Sequence, residues 1–145
     1  MIRRREALRL SGAGLVLPAL GIRPAFAATR LEFSDLYVRE MVLTPTVEAL
    51  AGQRVEMFGF MAPPLKAEAS FFVLTSVPMA TCPFCETEAQ WPDDIVLVLT
   101  RTIINAVGFN RPIRAEGVLD LGFETDPETG FVSLIRLEDA RFERT

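Results

Sequence analysis

The chain has 145 residues, 15 of them basic and 19 acidic, for a net charge of −4, and half of its composition is hydrophobic. That is enough apolar material for one packed core without a dense disulfide framework. Histidine is absent, which excludes a general base built on imidazole and removes the commonest metal ligand.

The N-terminal 27 residues have the three parts of an export signal: a basic start at Arg3-Arg4-Arg5, an apolar middle from Leu10 to Ile22, and Ala25-Phe26-Ala27 as an A-x-A cleavage site. The apolar run is shorter than the roughly 20 residues a membrane span needs. Ser11, Gly12, Gly14, Pro18 and Gly21 dilute it, which disfavours a stable anchor helix. Arg4-Arg5-x-x-Leu8-Arg9 resembles the twin-arginine motif, with Ala7 where that motif usually has Phe. Arg23, just before the cleavage site, disfavours the general secretory route. The resemblance implies export of an already folded protein to the periplasm, with the mature chain starting at Ala28 as a single domain over 28–145.

Five of the 15 basic residues and one of the 19 acidic ones lie in residues 1–27, so the remainder carries 10 basic and 18 acidic side chains, a net of −8. Nucleic-acid binders need basic surface to displace counterions, so the mature chain is expected to bind no nucleic acid. No later segment is long and apolar enough to span a bilayer, so the mature chain is expected not to be membrane-embedded.

Residues 28–52 give a weak pattern. Val47-Glu48-Ala49-Leu50 closes a short helix stopped by Gly52, and Pro45 interrupts the apolar run before it. From there the chain reads as strands. Arg54 to Met61 is the first, ended by Ala62-Pro63-Pro64. Phe71 to Val77 is the second, halted at Pro78. Ile95 to Thr100 is a continuous apolar run, as expected of a strand buried on both faces. Thr102 to Phe109 fits a helical turn or a further strand. Ile113 to Phe123 alternates, with Ile113, Ala115, Gly117, Leu119, Leu121 and Phe123 on one face and Arg114, Glu116 and Asp120 on the other, Val118 being the exception. Asp126-Pro127-Glu128-Thr129-Gly130 is a turn, and Phe131 to Phe142 returns as the partner strand. Five strands with short connections and almost no amphipathic helix predict an all-β fold, a small five-stranded barrel, closed or partly closed.

One constellation carries chemistry: Pro78-Met79-Ala80-Thr81-Cys82-Pro83-Phe84-Cys85-Glu86, in the connection after the second strand. Cys82 and Cys85 are the only cysteines. In an oxidising compartment their spacing permits a small structural disulfide, a redox dithiol or a pair of soft metal ligands. Cys-Pro-Phe-Cys looks like the tetrad of glutaredoxin-type oxidoreductases, with Cys82 as nucleophile and Cys85 as resolving thiol. Against that, Pro92 leaves barely two helical turns after Cys85, the βαβ setting is missing, and Glu86 and Glu88 disfavour a nearby thiolate. As metal ligands, the two sulfurs with Met79 suit Cu(I). Zinc or an iron–sulfur cluster calls for two chains sharing four cysteines, or for help from Glu86, Glu88, Asp93 or Asp94. A disulfide across so short a ring removes little chain entropy. Met57 and Met61, on apolar strands, read as core filler, Phe84 and Trp91 as ordinary packing, and the acidic pairs Glu86/Glu88 and Asp93/Asp94 as solvated charges.

Leu50-Ala51-Gly52-Gln53-Arg54-Val55-Glu56-Met57-Phe58-Gly59-Phe60-Met61-Ala62-Pro63 resembles a pattern in exported bacterial proteins of unknown function: Gly-x-x-Val-x-(apolar)-x-Gly-Phe/Tyr-Met-x-Pro, then an apolar strand and a Cys-containing loop. A final strand pair follows, matched by Glu116-Gly117-Val118-Leu119 and the strand from Phe131. The likeness covers residues 50–140. It implies an OB-type barrel and, for some members, a link to zinc-responsive transporter operons. The relatives carry Cys-x-His and a proline run where this chain has Cys82-Pro83-Phe84-Cys85, so zinc specificity does not carry over. The leading expectation is a non-catalytic periplasmic binding module that meets a metal, a transporter or another envelope protein through Cys82 and Cys85. The alternative is a thiol–disulfide oxidoreductase. Oligonucleotide binding, common on OB barrels, conflicts with the charge.

Overall fold

The structure is a computed structural model, which describes residues 27–64, 66–81 and 94–145. The expected signal peptide therefore lies outside the described residues, save Ala27.

The described chain begins with a two-residue strand, β1 (Thr29–Arg30), a 3-10 turn at Phe33–Asp35, and a small hairpin of β2 (Tyr37–Arg39) and β3 (Val42–Leu43). Helix α1 follows at Pro45–Ala49. Pro45, expected to interrupt, instead opens this helix. It occupies the first turn, where a missing N–H leaves no bond unmade, and Thr44 caps it by accepting the Val47 N–H at 3.2 Å. Gly52 ends the segment with φ +78°. Leu31, Leu36 and Val47 are buried.

Five longer strands follow: β4 (Arg54–Met61), β5 (Phe71–Thr75), β6 (Ile95–Thr100), β7 (Pro112–Thr125) and β8 (Val132–Arg144). They pair in the ring β4–β5–β6–β8–β7 and back to β4. β6 and β8 run parallel, and the other four contacts are antiparallel. This closes the small barrel expected from the strand pattern, with the OB-type order that the family resemblance implied. β1 adds alongside β4 in parallel.

Alternation along each strand fills the barrel. Val55, Met57 and Met61 of β4, Phe72 and Leu74 of β5, Val96 and Val98 of β6, Leu119 of β7, and Ile135 and Leu137 of β8 are all at most 1% exposed. β6 is buried on both faces, as its unbroken apolar run requires, since Ile95 and Leu97 are covered too. The strands approach closely at two glycines. A Cβ on Gly59 would lie 2.5 Å from the Thr75 carbonyl, and one on Gly117 would lie 2.9 Å from the Glu138 carbonyl. The recurrent glycines of the β4 and β7 motifs thus sit where the barrel has no room for a side chain.

Outside the barrel, charge is arranged in pairs across strands. Glu116 faces outward as expected but is only 8% exposed, because Arg141 and Arg54 cover it at 3.0 and 3.6 Å. Arg136 of β8 is 4% exposed. It bonds to the Asp120 carboxylate, to the Gly122 carbonyl at 2.8 Å and to Ser133 Oγ at 3.0 Å.

Three expected details differ. β5 ends at Thr75 rather than Val77, because the Thr75 hydroxyl, 2.8 Å from the Val77 carbonyl, curls the chain out of the sheet. Residues 102–109 form neither a helical turn nor a strand; their amides bond singly, Ile104 N–H to the Ala69 carbonyl and Val107 N–H to Met61 Sδ. Phe123, expected on the inward face, is 68% exposed. A bulge between Leu121 and Glu124, with Gly122 at φ +118°, rotates it out.

The β7–β8 turn follows the expected residues. The Asp126 carboxylate accepts from Thr129 Oγ1 at 2.5 Å and from the Glu128 N–H at 3.2 Å, and Gly130 leaves at φ +71°. The Thr129 hydroxyl, and then the Glu128 N–H, hold the Asp126 carboxyl below its usual 3.8. A carboxylate depressed in the folded state contributes order above its unfolded pKa and loses it as pH falls through the folded value. The turn should therefore loosen only below the ordinary carboxylate range. In an NMR titration the Asp126 carboxyl midpoint should fall below 3.8 and return toward it in Thr129→Val.

Candidate functional site

The cysteine-bearing connection joins β5 to β6, and the structure describes its two ends. Cys82 and Cys85 lie outside the described residues, as do Phe84, Glu86, Glu88, Trp91 and Asp93. At the base, Thr75 is fully buried at the end of β5, its hydroxyl 2.8 Å from the Val77 carbonyl and 3.2 Å from the Phe60 carbonyl. Thr75 pairs with Ile95, the first residue of β6. One step beyond that pair, Ser76 N–H donates to the Asp94 carbonyl at 3.1 Å, and Ser76 Oγ bonds to Asp94 Oδ2 at 3.2 Å. The two ends of the connection, Ser76 and Asp94, are thus fastened to each other by a backbone and a side-chain bond.

Met79 lies within this connection and is half-buried. Met57 and Met61 are inside the barrel, at most 1% exposed, and Met61 Sδ accepts the Val107 N–H at 3.4 Å. They are core residues, as read from the sequence, and of the three only Met79 stands on the cysteine connection. Asp94 is not the freely solvated charge expected of the Asp93/Asp94 pair: it is half-buried and bonded to Ser76. That clasp was missed in the sequence. Its signal is a serine just past one strand and an aspartate just before the next, flanking a long turn. Among the described residues no three Asp or Glu side chains converge as a metal site, and no buried side-chain polar atom lacks a partner.

A second contact links two other connections. Lys66, between β4 and β5, donates to Glu128 in the β7–β8 turn at 2.6 Å, and that hydrogen bond raises the Lys66 pKa above 10.5. The pair is exposed, so it orients the loops more than it stabilises the fold.

The ring order and the small size define the class: an all-β protein built on an OB-type barrel. No helix among the described residues is long and apolar enough to cross a membrane. Among solved structures the chain is similar to a DUF3299 family protein from Pseudomonas aeruginosa PAO1, known from a crystal structure at 2.45 Å. The likeness has a TM-score of 0.51 at 15% identity, over 82% of this chain and 97% of that one. At that identity it concerns the fold. No family profile matches the sequence, and no curated protein matches it.

Proposed function

We propose that the protein is an exported, non-catalytic binding module. An OB-type barrel presents the Cys82/Cys85 connection to a soft metal ion or to a partner in the cell envelope. The observation that carries this reading is the clasp at Ser76 and Asp94. It fixes the two ends of the connection on a packed barrel, while the core polar groups and the strand charges are engaged with one another. A rigid frame with a fastened loop suits presentation of ligands. The twin-arginine-like start supports a periplasmic location, and the resemblance to exported proteins linked to zinc-responsive transporter operons supports a transporter as partner. With Met79 in the same connection, the two cysteines favour Cu(I) over zinc in a single chain.

The test is to purify the protein from the exported fraction of cells, determine bound metal by native mass spectrometry, and count free thiols with and without reductant. The reading expects one metal per chain or per pair of chains, lost in Cys82→Ala and in Cys85→Ala while the circular dichroism spectrum is unchanged. Metal-free protein with oxidised cysteines and no insulin-reduction activity would return the pair to a structural disulfide. Insulin reduction that depends on Cys82 would make the protein a thiol–disulfide oxidoreductase instead.

A further inference from the structure

The barrel leaves a strand edge open beside the end of β8. The parallel β6–β8 pairing runs from Leu97 opposite Arg136 to Thr100 opposite Ala140 and stops. β8 continues to Arg144, paired with β7 from Glu116 opposite Arg141 to Ile113 opposite Arg144. After Thr100 the chain bends away: Thr100 Oγ1 lies 2.7 Å from the Thr102 carbonyl, and the Ile104 N–H goes to Ala69. Among the described residues no backbone hydrogen bond joins 101–107 to Arg141–Arg144. Between them lies a groove of about 470 Å³, lined by Ile103, Ile104, Val107, Arg141, Phe142 and Arg144. Ile103 is 62% exposed there. The rim carries Arg101, Arg141 and Arg144 against Glu143: the side chains of Arg141 and Arg101 are 76% and 80% exposed although each also pairs with a carboxylate, Glu116 and Asp139 respectively, and Glu143 pairs with Arg114.

An unpaired edge is a template for another strand, and the same molecule carries a complementary one. β7 pairs with β4 up to Val118 opposite Arg54, and Leu119 is bonded to Gln53 and Gly52. From Asp120 to Thr125, among the described residues, no strand lies on the side of β7 away from β8. Residues 120–132 contain Asp120, Glu124, Asp126 and Glu128 and no basic residue. Phe123 and Val132 stand out from this end at 68% and 46% exposure.

We infer that a second copy of this chain occupies the groove, the acidic β7 edge 120–125 of one copy lying along the basic β8 edge 141–144 of the other. Phe123 then packs against Ile103, and Glu124 meets Arg144. Charge on an edge ordinarily keeps it from pairing with its like. Here the two edges carry opposite net charge, two carboxylates in 120–125 against two arginines and one glutamate in 141–144, so each disfavours itself and accepts the other. Reciprocal exchange between two copies closes a two-fold pair, whereas a single exchange leaves an open chain. The inference does not rest on the cysteine connection.

Sedimentation velocity on the protein as it accumulates in cells, across a range of concentrations, tests it. Association is expected at about 0.01 M salt, where the Debye length is about 30 Å, and is expected to weaken at about 1 M, where it is about 3 Å. Phe123→Asp and Arg144→Glu should each leave the circular dichroism spectrum and melting curve intact, because both side chains are exposed. Glu124 also lies 3.6 Å from the buried Arg136, so Glu124→Arg should keep the spectrum and lower the melting temperature. Each of the three should abolish association. Mixing Glu124→Arg with Arg144→Glu pairs an arginine-bearing tip with a glutamate-bearing groove, so the mixture should associate although neither variant does alone. A chain that stays single at every concentration, association that survives all three substitutions, or a mixture that stays dissociated would overturn the inference.

Discussion

Gly59→Ala is expected to destabilise the barrel by about 3 kcal/mol, the upper end of what an added methyl costs in a packed interior. The cause is local. β4 crosses β5 with so little clearance that an added Cβ falls 2.5 Å from the Thr75 carbonyl oxygen. That atom belongs to the backbone of a neighbouring strand and cannot swing aside as a side chain would. The same Cβ meets the Phe33 ring at 3.1 Å and Leu74 at 3.2 Å, so retreat is blocked on the other sides. Chemical denaturation measures the loss; with a urea slope of about 1–3 kcal/mol per molar, the midpoint should fall by roughly 1–3 M. Gly108→Ala is the control. Its Cβ would meet only Asn110 Oδ1, at an ordinary 3.5 Å, and it should change stability by less than about 0.5 kcal/mol. Equal effects at the two positions would contradict the packing described for β4 and β5.

Phe72→Ala is expected to cost about 4 kcal/mol, within the range for removing a buried aromatic ring. Phe72 is 1% exposed in β5, and its ring meets that of Phe142 edge-on, with centroids 5.0 Å apart and planes tilted by 70°. Such a pair adds about 0.5–1.5 kcal/mol beyond burial. A double-mutant cycle with Phe142→Leu should recover a coupling of about 1 kcal/mol in thermal or chemical melts. Additive losses would mean that the two rings pack independently.

The strands that the sequence placed most accurately are those whose pattern is set by the barrel interior. β4 and β6 have the limits expected for them, Arg54–Met61 and Ile95–Thr100. Each is bounded by residues with backbone preferences of their own and filled by side chains the core must bury. The turn at 126–130 was legible for the same reason, since Asp, Thr and Gly there act on their own backbone. Strands of two or three residues, such as β1 and β3, carry too short a run for any period to show. Phe123 misled because alternation assumes an unbroken ladder, and the bulge after Leu121 breaks it. Pro45 misled because proline stops a helix in its interior but starts one at its first turn. At the candidate site, the choice of Cys82, Cys85 and Met79 came from residue chemistry alone. What the sequence did not reveal was the Ser76–Asp94 clasp, because it depends on two strands being neighbours.

The position of β8 in the ring has a consequence for the order of events in the cell. It is the last of the five strands along the chain, yet it lies between β6 and β7 and joins them. Until synthesis has passed the end of β8, β6 has an open flank and the barrel is a bent sheet with its apolar face uncovered. Closure must therefore wait until β8 has been made, and the unclosed sheet is the species at risk of aggregation.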